Sequence, residues 1–255
     1  MTKQKINYVP VLTSAAGSCL TAKNWVEAGV TLVSCHLSSL VIKPGLPYLK
    51  TLPNLASYIG WEGSFLLNAS MPARASEGTY ALRSPYDGSL VTVSTQDIVD
   101  FILQMKPHYV LLPEGFHQIG LAALNKLLEI TTAFIPMDDV SNYLPEWEHG
   151  TYYVDADGSC HLTSSNGEQF IESDVWASDA CMGKMYCREA VINLQESMYS
   201  TQFDLIDPHC QCPTCQQKFT RAYLHHLLKN TPLLCQRLLV QHNMYTLHCK
   251  IMDFL

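Results

Sequence analysis

Residues 207–230 read DPHCQCPTCQQKFTRAYLHHLLKN, with three thiols inside six positions at Cys210, Cys212 and Cys215. Neighbours this close rarely pair as disulfides, whereas a C-x-C-x2-C loop can wrap three soft ligands round one cation. A tetrahedral site needs a fourth donor. Downstream, Thr220 is set to cap a helix through Leu224, Leu227 and Leu228, and Thr231-Pro232 opens a second. His242 lies on that second helix and leads as fourth ligand; Cys235, two turns earlier on a similar face, and His225 or His226 on the preceding helix are its rivals. Three thiolates and an imidazole leave no open coordination position. Such a Zn2+ site is structural and contributes folding free energy rather than catalysis. The plainer alternative, three surface thiols and a core histidine, fits the tight spacing less well.

Outside this segment the 255-residue chain has an ordinary globular composition, 47% apolar and 15% charged. No apolar run approaches the length of a membrane span, so no membrane partner is expected. The opening MTKQKINYVPVLTS has no apolar stretch leading to a small-residue cleavage site, which argues against a secretory signal and for a cytoplasmic protein. The other seven cysteines, at 19, 35, 160, 181, 187, 235 and 249, sit mostly among apolar neighbours and are expected to be buried free thiols. A net charge of −7 argues against a general nucleic-acid binder. Its distribution is uneven: residues 210–255 carry +4, while between 138 and 204 thirteen acids face only Lys184 and Arg188. The tail can touch a phosphate backbone; the acidic stretch would repel one.

The first two thirds alternate short apolar strands with amphipathic helices, the pattern of an α/β sheet or barrel. Strands are expected at 9–14, 31–38, 64–70, 108–114, 132–137 and 151–156. Thr21 is expected to cap a helix through Trp25 and Val26, Thr95 one through Ile98, Phe101 and Ile102, and residues 121–130 are helical by spacing. SPYDGS at 84–89 reads as a hairpin turn, because Asp-Gly supplies a positive φ. The stretch from Thr151 to Phe170 reads as a hairpin or extended excursion with a second Asp-Gly turn. His36, His108, His117 and His161 are scattered singly and read as core or surface residues, and Trp25, Trp61, Trp147 and Trp176 as packing residues.

The cysteine cluster, the following TRAYLHHL helix and the His242-Asn243 dipeptide together resemble the C-terminal zinc module of the tRNA-guanine transglycosylase (queuine tRNA-ribosyltransferase) family. SAAGS at 14–18, KPG at 43–45, YIGWEG at 58–63 and RSPYDGS at 83–89 are similar to that family's opening barrel strands. The resemblance covers two thirds of the chain. It implies an α/β fold of TIM type, with a barrel-like domain at 1–205 and a zinc-binding helical module at 206–255. A regular (β/α)8 barrel takes about 250 residues. The shorter stretch available here implies a reduced or distorted barrel.

The resemblance also implies chemistry. Family members exchange a guanine in tRNA for a modified base, using one aspartate as nucleophile at the ribose carbon and another as acid/base, with a pocket that reads the flipped base. Where the family has an LTDSGGFQ-like segment, this chain reads LLNASMPA, so Asn68 stands in the matching place and Ser70 and Met71 replace the paired glycines. An amide cannot shuttle that proton. Segments like VQGG and GGLxVGE, which build the guanine pocket, have no match. Two carboxylates are candidates for the nucleophile. Asp155, five residues after Gly150, is the catalytic candidate by spacing; Glu172, in FIES, resembles the glutamate of the family's non-catalytic accessory subunit. Each competes with the reading of a solvated carboxylate in an acidic segment. Glu114, after the YVLLP strand, could mimic a base-reading acid but reads as an exposed strand-end residue. The expected function is therefore a non-catalytic accessory or tRNA-binding subunit, with tRNA and either a catalytic transglycosylase subunit or a second copy of itself as partners. The alternatives are an active, divergent ribosyltransferase using Asp155, or a zinc-stabilised fold with no RNA role.

Overall fold

A computed structural model describes residues 6–71, 74–76, 78–143, 149–187 and 190–252. Trp147 and the end of the LLNASMPA segment, Pro72 and Ala73, lie outside the described residues, as does the side chain of Cys249. In chain order the strands are β1 Ile6–Pro10, β2 Leu32–His36, β3 Ser64–Asn68, β4 Arg74–Ser76, β5 Thr79–Arg83, β6 Leu90–Ser94, β7 Tyr109–Leu111, β8 Thr132–Pro136, β9 Gly150–Val154, β10 Cys160–Thr163, β11 Gln169–Ser173, β12 Lys184–Tyr186 and β13 Val191–Asn193. The α-helices are α1 Ala22–Glu27, α2 Leu37–Leu40, α3 Leu46–Leu49, α4 Leu55–Ile59, α5 Thr95–Met105, α6 Leu121–Leu128, α7 Val175–Cys181, α8 Pro213–Gln216, α9 Arg221–Asn230 and α10 Pro232–Met252. The chain forms two compact units: Leu32–Glu172, and Met1–Thr31 with Ser173–Leu255. The expected boundary at 206 falls inside the second of these.

In the Leu32–Glu172 unit the main sheet runs β11-β10-β9-β8-β7-β3-β2. From β2 to β9 the neighbours are parallel, and three helix-bearing crossovers supply the α/β repeat. After β9 the repeat fails. Strands β9, β10 and β11 form an antiparallel meander with no helix between them, turning at Gly158, whose φ of 85° suits the Asp-Gly pair. This is how the barrel is reduced: a meander takes the place of βα units. Ser34 on β2 hydrogen-bonds to Glu172 on β11, although these strands stand at opposite ends of the seven, so the sheet is curled until its ends face each other. Its parallel strands are buried on both faces. Val33, Leu67, Val110, Leu111, Ala133, Phe134 and Ile135 have no exposed surface, as expected of strands covered by crossover helices. The Phe134 ring lies against Tyr109 and Phe170 and joins β8 to the meander.

Helix α5 is capped one residue earlier than expected. Ser94, not Thr95, is the cap: its Oγ accepts from Asp97 N at 3.0 Å, and Asp97 Oδ2 accepts from Ser94 N at 3.1 Å, a reciprocal capping box. A separate antiparallel sheet, β4-β5-β6, holds the SPYDGS turn, with Gly88 at φ 72°.

In the other unit β12 and β13 form a hairpin, and α7, α9 and α10 pack around it, burying Trp176, Met185, Leu224, Leu227 and Leu239. Trp25 is fully buried on α1, and Trp176 lies edge-on to Tyr8. Among the described residues no helix is long and apolar enough to cross a membrane.

Candidate metal centre and barrel-end carboxylate

The thiol loop is preorganised by its own backbone. Cys212 caps the short helix α8, its Sγ accepting from Cys215 N at 3.2 Å, and Pro213 at the first helical position loses no hydrogen bond there. Thr214 is buried and donates to the Leu238 carbonyl at 2.8 Å, which fastens the loop to α10 one turn before His242. His242 Nδ1 then lies 3.7, 3.4 and 3.3 Å from the sulfurs of Cys210, Cys212 and Cys215. All four donor atoms fall within 4.8 Å of one another. The opposite ring nitrogen, Nε2, is 2.7 Å from the Tyr186 carbonyl, which fixes the tautomer that leaves Nδ1 as a donor to a cation.

The rivals for the fourth place are engaged elsewhere. Cys235 donates to the Leu224 carbonyl, His225 Nδ1 is 2.7 Å from the Leu194 carbonyl, and His226 contacts Asn230. Next to His242, Asn243 is fully buried and satisfies three backbone groups, accepting from Tyr186 N and donating to the carbonyls of Trp176 and Lys184. The His-Asn dipeptide thus couples the cluster to the β12 hairpin and α7.

Without a cation the three thiols oppose one another. Hydrogen bonds from Cys212 and Cys215 hold Cys210 well below the ordinary thiol range, while Cys210 and Cys212 push Cys215 far above it. Three thiolates at this spacing require a positive charge between them. The donor set of three sulfurs and one imidazole therefore fits a divalent ion of zinc's preferences.

The second site gathers at the C-terminal ends of the barrel strands, where enzymes of this architecture place their chemistry. Glu172, two per cent exposed, points inward from the end of β11. Its Oε1 accepts from Ser34 Oγ and is 3.2 Å from His36 Nε2, and its Oε2 accepts from Asn68 Nδ2 at 2.6 Å. The other end of the Asn68 amide is held as well, because Oδ1 accepts from Ser70 N at 3.0 Å and from Ser70 Oγ. His36 is therefore not a lone histidine but the most exposed member of this group, at 35%.

Asp155 is placed differently. It follows β9 in the tight turn to β10, is 38% exposed, and its Oδ2 lies 2.7 Å from His161 Nε2, with the His161 ring stacked on Tyr153. Glu114 is exposed. His117 lies 3.7 Å from buried Asp139, and His108 accepts from Phe65 N. The expectation of seven buried thiols holds for Cys35, Cys160 and Cys235 but not for Cys19, Cys181 and Cys187, which are partly exposed.

Residues 160–253 match the family model for queuine tRNA-ribosyltransferase, a span that takes in the cluster and Glu172. Over 96% of its length the chain is 21% identical to a queuine tRNA-ribosyltransferase of Treponema denticola, covering 84% of that protein. It is likewise 21% identical to one of Dehalococcoides mccartyi, over 92% of the chain and 78% of the relative. Along nearly its whole length the chain therefore resembles queuine tRNA-ribosyltransferases, and its C-terminal part matches their family model. Similarity to these proteins is uneven along the chain. One from Clostridium perfringens is 34% identical over 105 residues, which are 41% of this chain and only 23% of that protein. The alignment to the Treponema ribosyltransferase extends over 319 positions, more than the 255 residues available, so that relative carries segments without a counterpart here.

Proposed function

We propose that this chain is a non-catalytic transglycosylase-like protein that supports queuine or guanine exchange in tRNA as an accessory or tRNA-binding subunit. The observation that carries the reading is the state of Glu172. A carboxylate that attacks a ribose carbon must offer an unencumbered oxygen lone pair and work beside a group that can transfer a proton. Both oxygens of Glu172 are engaged by side chains of the barrel, and its nearest neighbour is the amide of Asn68, which donates at 2.6 Å and cannot act as an acid or base. Here the two positions make a fixed hydrogen-bonded pair. The retained cluster at Cys210, Cys212, Cys215 and His242 would hold Zn2+ as a structural ion that fastens the thiol loop to α10. The positive balance of residues 210–255 supports contact with a tRNA backbone.

The test is tRNA binding and guanine exchange by the zinc-loaded protein, alone and with a catalytic transglycosylase. Binding to tRNA, or stimulation of the partner, with no exchange by the protein alone supports the proposal. Exchange by the protein alone overturns it; loss of that turnover in Asp155→Ala would then identify the divergent enzyme that uses Asp155.

A further inference from the structure

Cys19 and Cys181 come from elements far apart in sequence and face one cleft. Cys19 ends the 3-10 turn Gly17–Cys19, and this turn is clamped: Ser14 Oγ accepts from Gly17 N at 2.8 Å and donates to the Val11 carbonyl, against which a Cβ at position 17 would collide. Cys181 is the last residue of α7, and its carbonyl accepts from Gln236 Nε2 at 3.2 Å. Cys19 and Cys181 both line a cleft of about 660 Å³, with Ser178, Asp174, Met182 and Gln236, and each thiol lies in the other's electrostatic field. Both thiols are free and partly exposed, whereas Cys35, Cys160 and Cys235 are buried.

We propose that Cys19 and Cys181 are a redox-active thiol pair, oxidised to a disulfide by a small peroxide entering this cleft. The roles follow from their surroundings. Burial, reinforced by Cys19, pushes the Cys181 thiol up to about 11, so at neutral pH it keeps its proton. Cys19 is the attacking sulfur. Its thiolate takes one oxygen of the peroxide; the O–O bond breaks, leaving a Cys19 sulfenic acid and one water once the departing oxygen is protonated. The Cys181 sulfur then attacks the sulfenic sulfur, the S–S bond forms as the S–O bond breaks, and the hydroxyl leaves with the Cys181 proton as a second water. Two thiols lose two electrons and the peroxide is reduced by two. The product links the N-terminal turn covalently to α7, and a thiol reductant reverses it. This inference stands apart from the accessory-subunit reading.

The test uses the full, zinc-loaded chain treated with hydrogen peroxide, alkylated, and digested with trypsin and a glutamate-specific protease. That digestion releases residues 6–23 and 173–184, each with a single cysteine. The expected product is one linked peptide pair, two hydrogens lighter than the reduced peptides together and absent after reduction. Cys181→Ser, lacking the resolving thiol, should instead accumulate a Cys19 sulfenic acid that dimedone traps. Full alkylation of both cysteines after peroxide treatment, or linkage of either to another cysteine, overturns the proposal. Because the wild-type digest decides the matter, a variant that fails to fold leaves the test intact.

Discussion

Asn68 Nδ2 donates to Glu172 Oε2 at 2.6 Å, joining the C-terminal end of β3 to that of β11. The bond ties together strands from the two ends of the curled sheet. Asn68 is five per cent exposed and Glu172 two per cent, so neither group can exchange its partner for water without opening the sheet ends. A buried carboxylate is tolerated when donors surround it, and here Ser34 and Asn68 donate while His36 stands in reach of the same group.

Asn68→Asp tests that balance. The substitution replaces a donor by a second carboxylate, and two buried carboxylates in contact cannot both ionise, so one folded-state pKa rises above its unfolded value. The sign is then fixed: the native state holds a proton the unfolded chain releases, so stability is kept at low pH and falls as pH rises through the carboxylate range. The variant should be about 2–4 kcal/mol less stable than the parent at pH 8 and recover part of that loss near pH 5. Urea unfolding at the two pH values measures it, and a pH-independent difference would contradict the account.

Removal of an ion bound at the cluster should act at a distance from the thiols. His242 Nε2 is bound to the Tyr186 carbonyl and Asn243 to Tyr186 N, so a loosened histidine releases the β12 hairpin as well as the cluster. Chelation, or Cys212→Ser, is expected to abolish stoichiometric zinc and to lower the melting temperature by roughly 5–15 °C, the effect of a few kcal/mol on a domain of this size. Hydrogen exchange locates the change: amides of 184–193 should lose protection together with those of 210–216. Unaltered protection at 184–193 would mean that the hairpin is held independently.

Legibility in the sequence followed the range of the interactions concerned. The strands at 32–36, 64–68, 109–111 and 132–136 fall within the expected stretches, and 150–154 starts one residue before its own, because alternation, apolar runs and Asp-Gly turns are local signals. The thiol loop was legible for the same reason. Ser94 was missed as a cap although Ser94-Thr95-Gln96-Asp97 carries the reciprocal pattern, so that signal was present. The Glu172 group is different in kind. Its partners lie 104 to 138 residues away in sequence and meet only when the sheet curls, so no spacing rule joins Ser34, His36 and Asn68 to one carboxylate. Glu172 therefore looked no better buried than Asp155, whereas in the fold one is enclosed and the other faces solvent.

Gly150 gives a steric test of the reduced barrel. A Cβ there would overlap the Phe134 ring and sit 2.8 Å from the Thr163 carbonyl oxygen, because β9 passes between β8 and β10 at a point with no room for a side chain. Phe134 is fully buried against Tyr109 and Phe170 and cannot turn away freely. Gly150→Ala should cost about 2–4 kcal/mol, more than a surface substitution, and should shift the denaturant midpoint without changing the slope. A neutral result would require the meander to sit further from β8 than described.

Asp155→Ala separates the two carboxylates by consequence. The Asp155–His161 pair is exposed enough for water to screen it, and the cross-strand stack of Tyr153 on His161 persists without the acid. Stability should change by less than about 1 kcal/mol, and tRNA binding or partner stimulation should be unaltered. Glu172→Ala, by contrast, leaves Asn68 and Ser34 with buried donors and no acceptor, for a loss of about 3–5 kcal/mol. Thermal unfolding of the two variants side by side ranks them. If Asp155→Ala proved the more damaging, the hairpin rather than the barrel end would be the organising site, and Asp155 would return as the group to examine for chemistry.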